Sequence, residues 1–289
     1  MKKLLTTTAS VLAGLTISFN LLAGSNVQLD RANTDIRDQK SLQNGAQLFM
    51  DYCSGCHSIS FMRYNRIAED LFLDDIVEAY KQAKTNLLTN KPLSATDFQA
   101  LSNAVDSSVK NIKQAKESLD KLSDSQIEKN LSKATDRMVE KNLVFNADKV
   151  GSPIISSMPK KGAEAWFGTT PPDLSLVARS KGTDWIYTYL RSFYKDNSRP
   201  FGVNNKVLTN VSMPDVLWHL KESKSTKDFN QDVRDITNFL DYVGEPAKLV
   251  RVDLGYKVLG FLFILFILSY LLKKEYWRDV KYGKWKAKD

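Results

Sequence analysis

Cys53, Ser54, Gly55, Cys56 and His57 form a C-x-x-C-H run, the spacing that fastens a c-type haem. Two thiols three residues apart on a helical turn can each add to one vinyl group of the same porphyrin. The imidazole that follows then stands beneath the ring, within reach of the iron. The chain of 289 residues has two cysteines and two histidines, so this motif uses both thiols and leaves none for a disulfide. A structural zinc site needs four ligands, usually from two such pairs, and there is no second pair. A thioredoxin-like C-x-x-C belongs to a βαβ pattern that the surrounding residues do not show. The expected cofactor is one covalently attached haem c, with Cys53 and Cys56 as thioethers and His57 as the proximal ligand.

The ligand on the far face of the iron separates an electron carrier from a sensor or a peroxidase. The candidates are His219 and the methionines Met50, Met62, Met138, Met158 and Met213, since Met1 falls in the leader. Met50 and Met62 sit too close to the attachment motif to reach round the ring, and Met138 lies in a polar central stretch. Met158 and Met213 each precede a proline, which removes an amide donor and stiffens the loop. Met213 ends a loop-like stretch, Asn197 to Ser212, and precedes the last amphipathic helix. It is the favoured distal ligand, with Met158 and His219 as alternatives.

The elements that must position these residues read as helices. Ser41 to Tyr52 forms a helix leading into the haem motif, with Gly45 and Phe49 on one face. Phe229, Val233, Ile236, Leu240 and Val243 recur at steps of four and three, an amphipathic helix ended by Gly244-Glu245-Pro246. Gly45 would let these two helices cross closely. From about Tyr80 to Lys141 there is no glycine, cysteine or tryptophan and a single proline, Pro92. Sparse apolar positions from Leu101 to Leu131 fall on helical steps, which predicts one or two long, thinly amphipathic helices forming an inserted arm.

Topology follows from the two ends. Lys2-Lys3, the apolar stretch Leu4 to Leu22 and Ala23-Gly24-Ser25 predict a secretory signal peptide over residues 1–23. Val258 to Leu272 carries no charge, and with Leu254, Gly255, Tyr256 and a snorkelling Lys257 it predicts one transmembrane helix over 254–272. The tail 273–289 holds seven basic and three acidic residues, which places it in the cytoplasm of a bacterial inner membrane. The domain 24–250 then faces the periplasm. The formal net charge of +8 is accounted for by +2 in the leader, +4 in the tail and +2 between them. This distribution reports topology and carries no nucleic-acid footprint.

Three segments carry a family resemblance: CSGCHSISFMRYNR, AWFGTTPPDLSLVARSKGTDWIYTYLRSFY and RPFGVNNKVLTNVSMPDVLW. Together with the single C-terminal anchor they resemble cytochrome c1, the haem subunit of the cytochrome bc1 complex (ubiquinol–cytochrome c reductase). The segment Pro171 to Ser175 (P-P-D-L-S) and the late Met-Pro are the specific part. The resemblance covers about Gln43 to Ala79 and Lys141 to the end, with a central insertion longer than the family pattern. It implies a mostly α, class I cytochrome c-like haem domain, thioethers at Cys53 and Cys56, and axial ligands His57 and Met213. Arg63, Tyr64 and Trp185 would lie along the haem or its propionates. The implied partners are cytochrome b and the Rieske iron–sulfur subunit in the membrane and cytochrome c as electron acceptor. There is no substrate turnover at the iron itself. An anchored cytochrome c of another respiratory chain, and a haem sensor or peroxidase with an open distal site, are the alternative functions.

Overall fold

A computed structural model describes residues 27–106, 109–147, 149–281 and 283 of the chain. The expected signal peptide at 1–23 and the last six residues of the tail lie outside them.

Two helices carry the haem domain. Helix α1 (Gln39–Tyr52) starts where the Asp38 carboxylate accepts the Ser41 amide, and ends at Cys53. A C-terminal helix spanning Thr226–Gly244 is capped by Ser225, whose hydroxyl accepts the Asp228 amide. Its ladder of Phe229, Val233, Ile236, Leu240 and Val243 is buried throughout, as the spacing predicts. The two helices cross at Gly45. A β-carbon placed there would lie 2.0 Å from the Asp235 carbonyl oxygen and 2.8 Å from the Phe239 β-carbon. Phe49 and Phe239 pack beside the crossing with ring centroids 5.6 Å apart. The buried Asp235 carboxylate accepts Ser41 Oγ (2.6 Å), Asn44 Nδ2 (2.7 Å) and Gln231 Nε2 (2.8 Å). Hydrogen-bonding its lone pairs is the condition for keeping a carboxylate in such a core.

After the haem motif, strand β1 (Ile59–Arg63) pairs antiparallel with β2 (Pro153–Ile154), Ile59 opposite Ile154. The chain thus leaves and returns at one place; Tyr64, Ile67, Leu71, Val139 and Leu143 of this excursion still pack in the haem-domain core, and the arm lies beyond them. Helix α2 (Tyr64–Ile67) and a π-helical turn (Ala68–Phe72) lead into α3 (Leu73–Leu88). Then follow α4 (Ala95–Val105), α5 (Ile112–Leu119) and α6 (Asp124–Asn142).

The arm therefore differs from the one or two long helices that the spacing predicts. Capping residues divide it. Ser94 with Asp97 and Ser123 with Gln126 form capping boxes, and Asn111 caps α5. The shorter helices bundle around their own core, which includes Tyr80, Leu87, Leu101, Leu119, Ile127 and Leu131 and is separate from that of the haem domain. Asp106 ends α4 in the left-handed region (φ 54°) and takes Arg137 (2.6 Å) and Lys133 (3.2 Å) from α6.

These contacts predict a pH response. Bonds from the Ser94 amide and hydroxyl hold the Asp97 carboxyl below its ordinary range, and those from Arg137 and Lys133 do so for Asp106. A depressed carboxylate contributes stability above its unfolded value, and this is lost as the pH falls through the folded one. Hydrogen-exchange protection factors across α4–α6 are expected to hold at neutral pH and to fall below about pH 4. Unchanged protection there would exclude these bonds as a stabilising feature.

Beyond β2 come α7 (Lys160–Phe167), α8 (Val177–Lys181) and α9 (Thr183–Arg191). A short hairpin of β3 (Phe193–Lys195) and β4 (Val203–Asn205) follows, and then α10 (Trp218–Ser223). The 226–244 helix is α11. Helix α12 (Lys248–Lys281) is tied to its end by Lys248–Asp241 and Arg251–Glu245 ion pairs. Within it, Leu254–Arg278 has a mean hydropathy of 2.0 and is covered by nothing among the described residues. Those 25 residues reach about 37 Å, more than the hydrocarbon core of a bilayer requires.

Candidate haem site

The attachment motif folds as the terminus of α1. The Cys53 amide still donates to Phe49 O, and the amides of Cys56 (3.1 Å) and His57 (2.8 Å) both turn back onto Cys53 O. Ser54 Oγ closes the turn on Met50 O at 2.7 Å. Burial, then the neighbouring Cys56, pushes the Cys53 thiol up to about 12, and burial also raises Cys56. A redox C-x-x-C works through a lowered thiol, so these cysteines have the opposite character.

His57 is oriented by the segment Pro171 to Ser175. Its Nδ1 lies 2.8 Å from the Pro172 carbonyl oxygen. A carbonyl only accepts, so Nδ1 carries the proton and Nε2 keeps a free lone pair. Burial lowers the affinity of the imidazole for a second proton, ahead of the opposing Pro172 bond and Asp173 charge. The same segment is stitched to the chain after the motif. Leu174 N donates to Ser58 O (2.8 Å), Ser60 N to Asp173 Oδ2 (3.0 Å) and Phe61 N to Ser175 Oγ (3.2 Å). The role of P-P-D-L-S is thereby explained: it fixes the tautomer and the direction of the histidine.

Met213 comes from the loop between β4 and α10, and asparagines hold that loop. Asn205 Nδ2 donates to Tyr189 O at 2.8 Å, while its Oδ1 accepts the Val207 and Leu208 amides. Asn204 Oδ1 accepts the Asn210 amide, and Arg199 Nη2 donates to Asn210 O. The Tyr189 hydroxyl donates to Met213 Sδ at 3.4 Å, and burial pushes this phenol well above its ordinary value.

Cys53, Cys56, His57 and Met213 line one cavity of about 630 Å³. Ile236 and Leu240 of α11 and Ile186 and Leu190 of α9 supply apolar wall, and Trp185 lines it as well. Lys181 is the lysine among the lining residues, with Nζ 5.7 Å from the centre of the Trp185 ring. The size lies within the usual range for a cofactor site, about 300–1,000 Å³. Two thiols, an imidazole with its Nε2 free and a thioether sulfur on an apolar cavity are the donor set of a covalently held haem, so the residues fit that group.

The other residues singled out from sequence stand elsewhere. Met158 is half-buried outside the lining, and His219 is exposed with its ring 5.6 Å from that of Trp218. Arg63 donates to Gly151 O, and Tyr64 is buried in the protein core, 1 % exposed. Tyr189, Lys181, Asn205 and the Pro172 carbonyl escaped sequence reasoning. Trp185, Tyr189 and Phe193 do recur at four-residue steps, but core packing produces the same pattern.

A model of the Cytochrome C1 family matches residues 31–99 and 91–280. The chain belongs to the cytochrome c1 family. It is 37% identical to cytochrome c1 of Allochromatium vinosum over 97% of this chain and the whole of that one. It is 34% identical to a protein of Nitrosomonas europaea named ammonia monooxygenase gamma subunit, covering 89% of this chain and 91% of that one. With cytochrome c1 of Rhodospirillum rubrum the identity is 26%, over 85% and 84%. Membership brings with it haem c and electron transfer in a bc1-type complex, ubiquinol–cytochrome c reductase.

Proposed function

We propose that this chain is the membrane-anchored haem subunit of a respiratory bc1 complex, taking single electrons from the Rieske iron–sulfur subunit and delivering them to a cytochrome c. Cys53 and Cys56 would hold the haem as thioethers, and His57 Nε2 and Met213 Sδ would bind the iron. The observation that carries this reading is the meeting of all four residues on one cavity of about 630 Å³. When bound, the haem supplies a one-electron ferric/ferrous couple.

The chain's own contribution is positional. The Pro172 carbonyl holds the His57 proton on Nδ1 and thereby aims Nε2. The asparagine-braced loop presents the Met213 sulfur, a soft ligand that favours the ferrous state and raises the potential. With His57 and Met213 as its ligands, a bound haem would offer no open position to oxygen or peroxide, which sets the carrier apart from the sensor and peroxidase readings. Ile186, Leu190, Ile236 and Leu240 keep water from the cavity wall. Helix α12 spans the bacterial inner membrane with its basic end in the cytoplasm, which leaves the haem domain on the periplasmic side beside cytochrome b.

Two measurements test this. Replacing both Cys53 and Cys56 by alanine is expected to remove all haem that survives denaturing electrophoresis, and retained covalent haem would refute the attachment sites. Mild detergent extraction of the tagged wild-type chain is expected to bring down a cytochrome b and an iron–sulfur subunit. Recovery with a terminal oxidase instead would establish the rival respiratory chain.

A further inference from the structure

The stretches that frame the mouth of the cavity differ in charge from the rest of residues 24–272. Residues 159–182 and 195–215 hold seven basic and four acidic residues, a net +3. The whole of 24–272 is only +2, so the remainder carries a net −1. Helix α7 runs along one side of the mouth. Just before it Ser157 Oγ donates to Gly55 O at 3.5 Å, and at its end Phe167 lines the cavity. Phe201, from the turn between β3 and β4, meets the Phe167 ring at 5.4 Å, so the hairpin adjoins the same edge. Leu176 and Leu208 belong to the lining and are about half exposed, and Trp166 beside Phe167 has 75 % of its surface open. Lys160, Lys161 and Lys206 are exposed on these stretches and have no ion pair among the described residues. The carboxylates are more committed. Asp173 accepts the Ser60 and Ser175 amides, Asp196 accepts Ser198 Oγ and Asn204 Nδ2, Glu164 accepts Thr170 Oγ1, and Asp215 is half-buried.

An exposed apolar rim set among unpaired cations has the make-up of a protein contact surface, apolar at its centre and charged at its margin. Its partner must present the opposite charge, since like charges face to face repel and slow the encounter. We infer that the mouth of the cavity docks a soluble electron-carrier protein through an acidic face on that carrier, steered by Lys160, Lys161 and Lys206 and seated on Trp166. This rests on the reading of the chain as a haem-bearing electron carrier and assigns the charge of its acceptor. Lys181 lines the cavity itself and belongs to the haem site. A carrier with a basic face is repelled by the same lysines at low salt.

The test uses one carrier in two charge states: a basic cytochrome c, and the same protein after succinylation of its lysines, which makes it acidic. Each ferric form is mixed with the full-length, haem-loaded, reduced chain in uncharged detergent, and haem oxidation is followed by stopped flow. The succinylated form is expected to react at least about tenfold faster at low ionic strength. It should lose most of that advantage as salt rises from about 20 to 200 mM. Binding of the two forms to the immobilised chain should differ in the same sense, which reads docking apart from electron transfer. Changing Lys160, Lys161 and Lys206 together to Glu is expected to remove the preference and leave the visible spectrum unchanged. This variant also separates the mouth from the basic tail, which detergent leaves accessible. Trp166→Ala should weaken binding of the succinylated form by roughly tenfold at low and high salt alike. A faster native form, or a preference that ignores salt and the lysine changes, overturns the inference and leaves the electron carrier intact. A reduced chain that neither form oxidises at any salt removes the electron-carrier reading and the inference together.

Discussion

Gly45→Ala is expected to destabilise the haem domain by about 3 kcal/mol or more, a large share of what a domain possesses. The reason is geometric. The added β-carbon would sit 2.0 Å from Asp235 O and 2.6 Å from its carbonyl carbon, both backbone atoms of a fully packed helix. No rotamer change relieves such a contact, so α1 and α11 must separate. Separation also stretches the bonds from Ser41 and Asn44 to the buried Asp235 carboxylate. In thermal unfolding of the detergent-solubilised chain, the midpoint should drop by about 6–12 °C. The yield of haem-loaded protein should fall as well, because α1 ends in Cys53. A midpoint within 2 °C of wild type, on the order of experimental scatter, would mean that the helices do not cross at this residue.

Met213→Leu is the second change with a large expected effect, and it acts on chemistry rather than folding. Leucine nearly conserves volume, so the stability cost should stay under about 1.5 kcal/mol. The sulfur is lost, however, and among the described residues no second methionine and no histidine besides His57 lines the cavity, since Met158 and His219 lie outside it. The reduced variant is expected to bind carbon monoxide, and the reduced wild type is expected not to. Its reduction potential should fall by more than about 100 mV, because a soft axial ligand has been removed. A variant that ignores carbon monoxide and keeps its potential would move the distal ligand to another residue.

How much of this was legible in the sequence depends on how local each feature is. The C-x-x-C-H run is local in sequence and chemistry. The ladder Phe229 to Val243 is periodic, and burial of all five members follows from that period. Gly45 could be read because a glycine on an apolar helical face has few other uses. The arm was misread because its breaks are made by Ser94, Asn111 and Ser123. In a polar stretch these are indistinguishable from the solvated face of a continuous helix, and only the bonded caps reveal them. Arg63 and Tyr64 lie beside the motif in sequence, yet strand β1 and the chain after it carry them away from the cavity. The bonds His57–Pro172 and Tyr189–Met213 span 115 and 24 residues. One of them uses a backbone carbonyl, which no side-chain pattern encodes.

A covalent haem in the cavity beside Cys53, closed on both faces by His57 and Met213, would have a distinctive absorption. The visible spectrum of the detergent-solubilised wild-type chain tests it most directly, recorded oxidised, reduced, and reduced under carbon monoxide, before and after acid–organic extraction. The expected result is a low-spin haem that stays with the polypeptide through extraction and whose reduced spectrum carbon monoxide leaves unchanged. Haem that is extracted, or a reduced wild type that binds carbon monoxide, would contradict it.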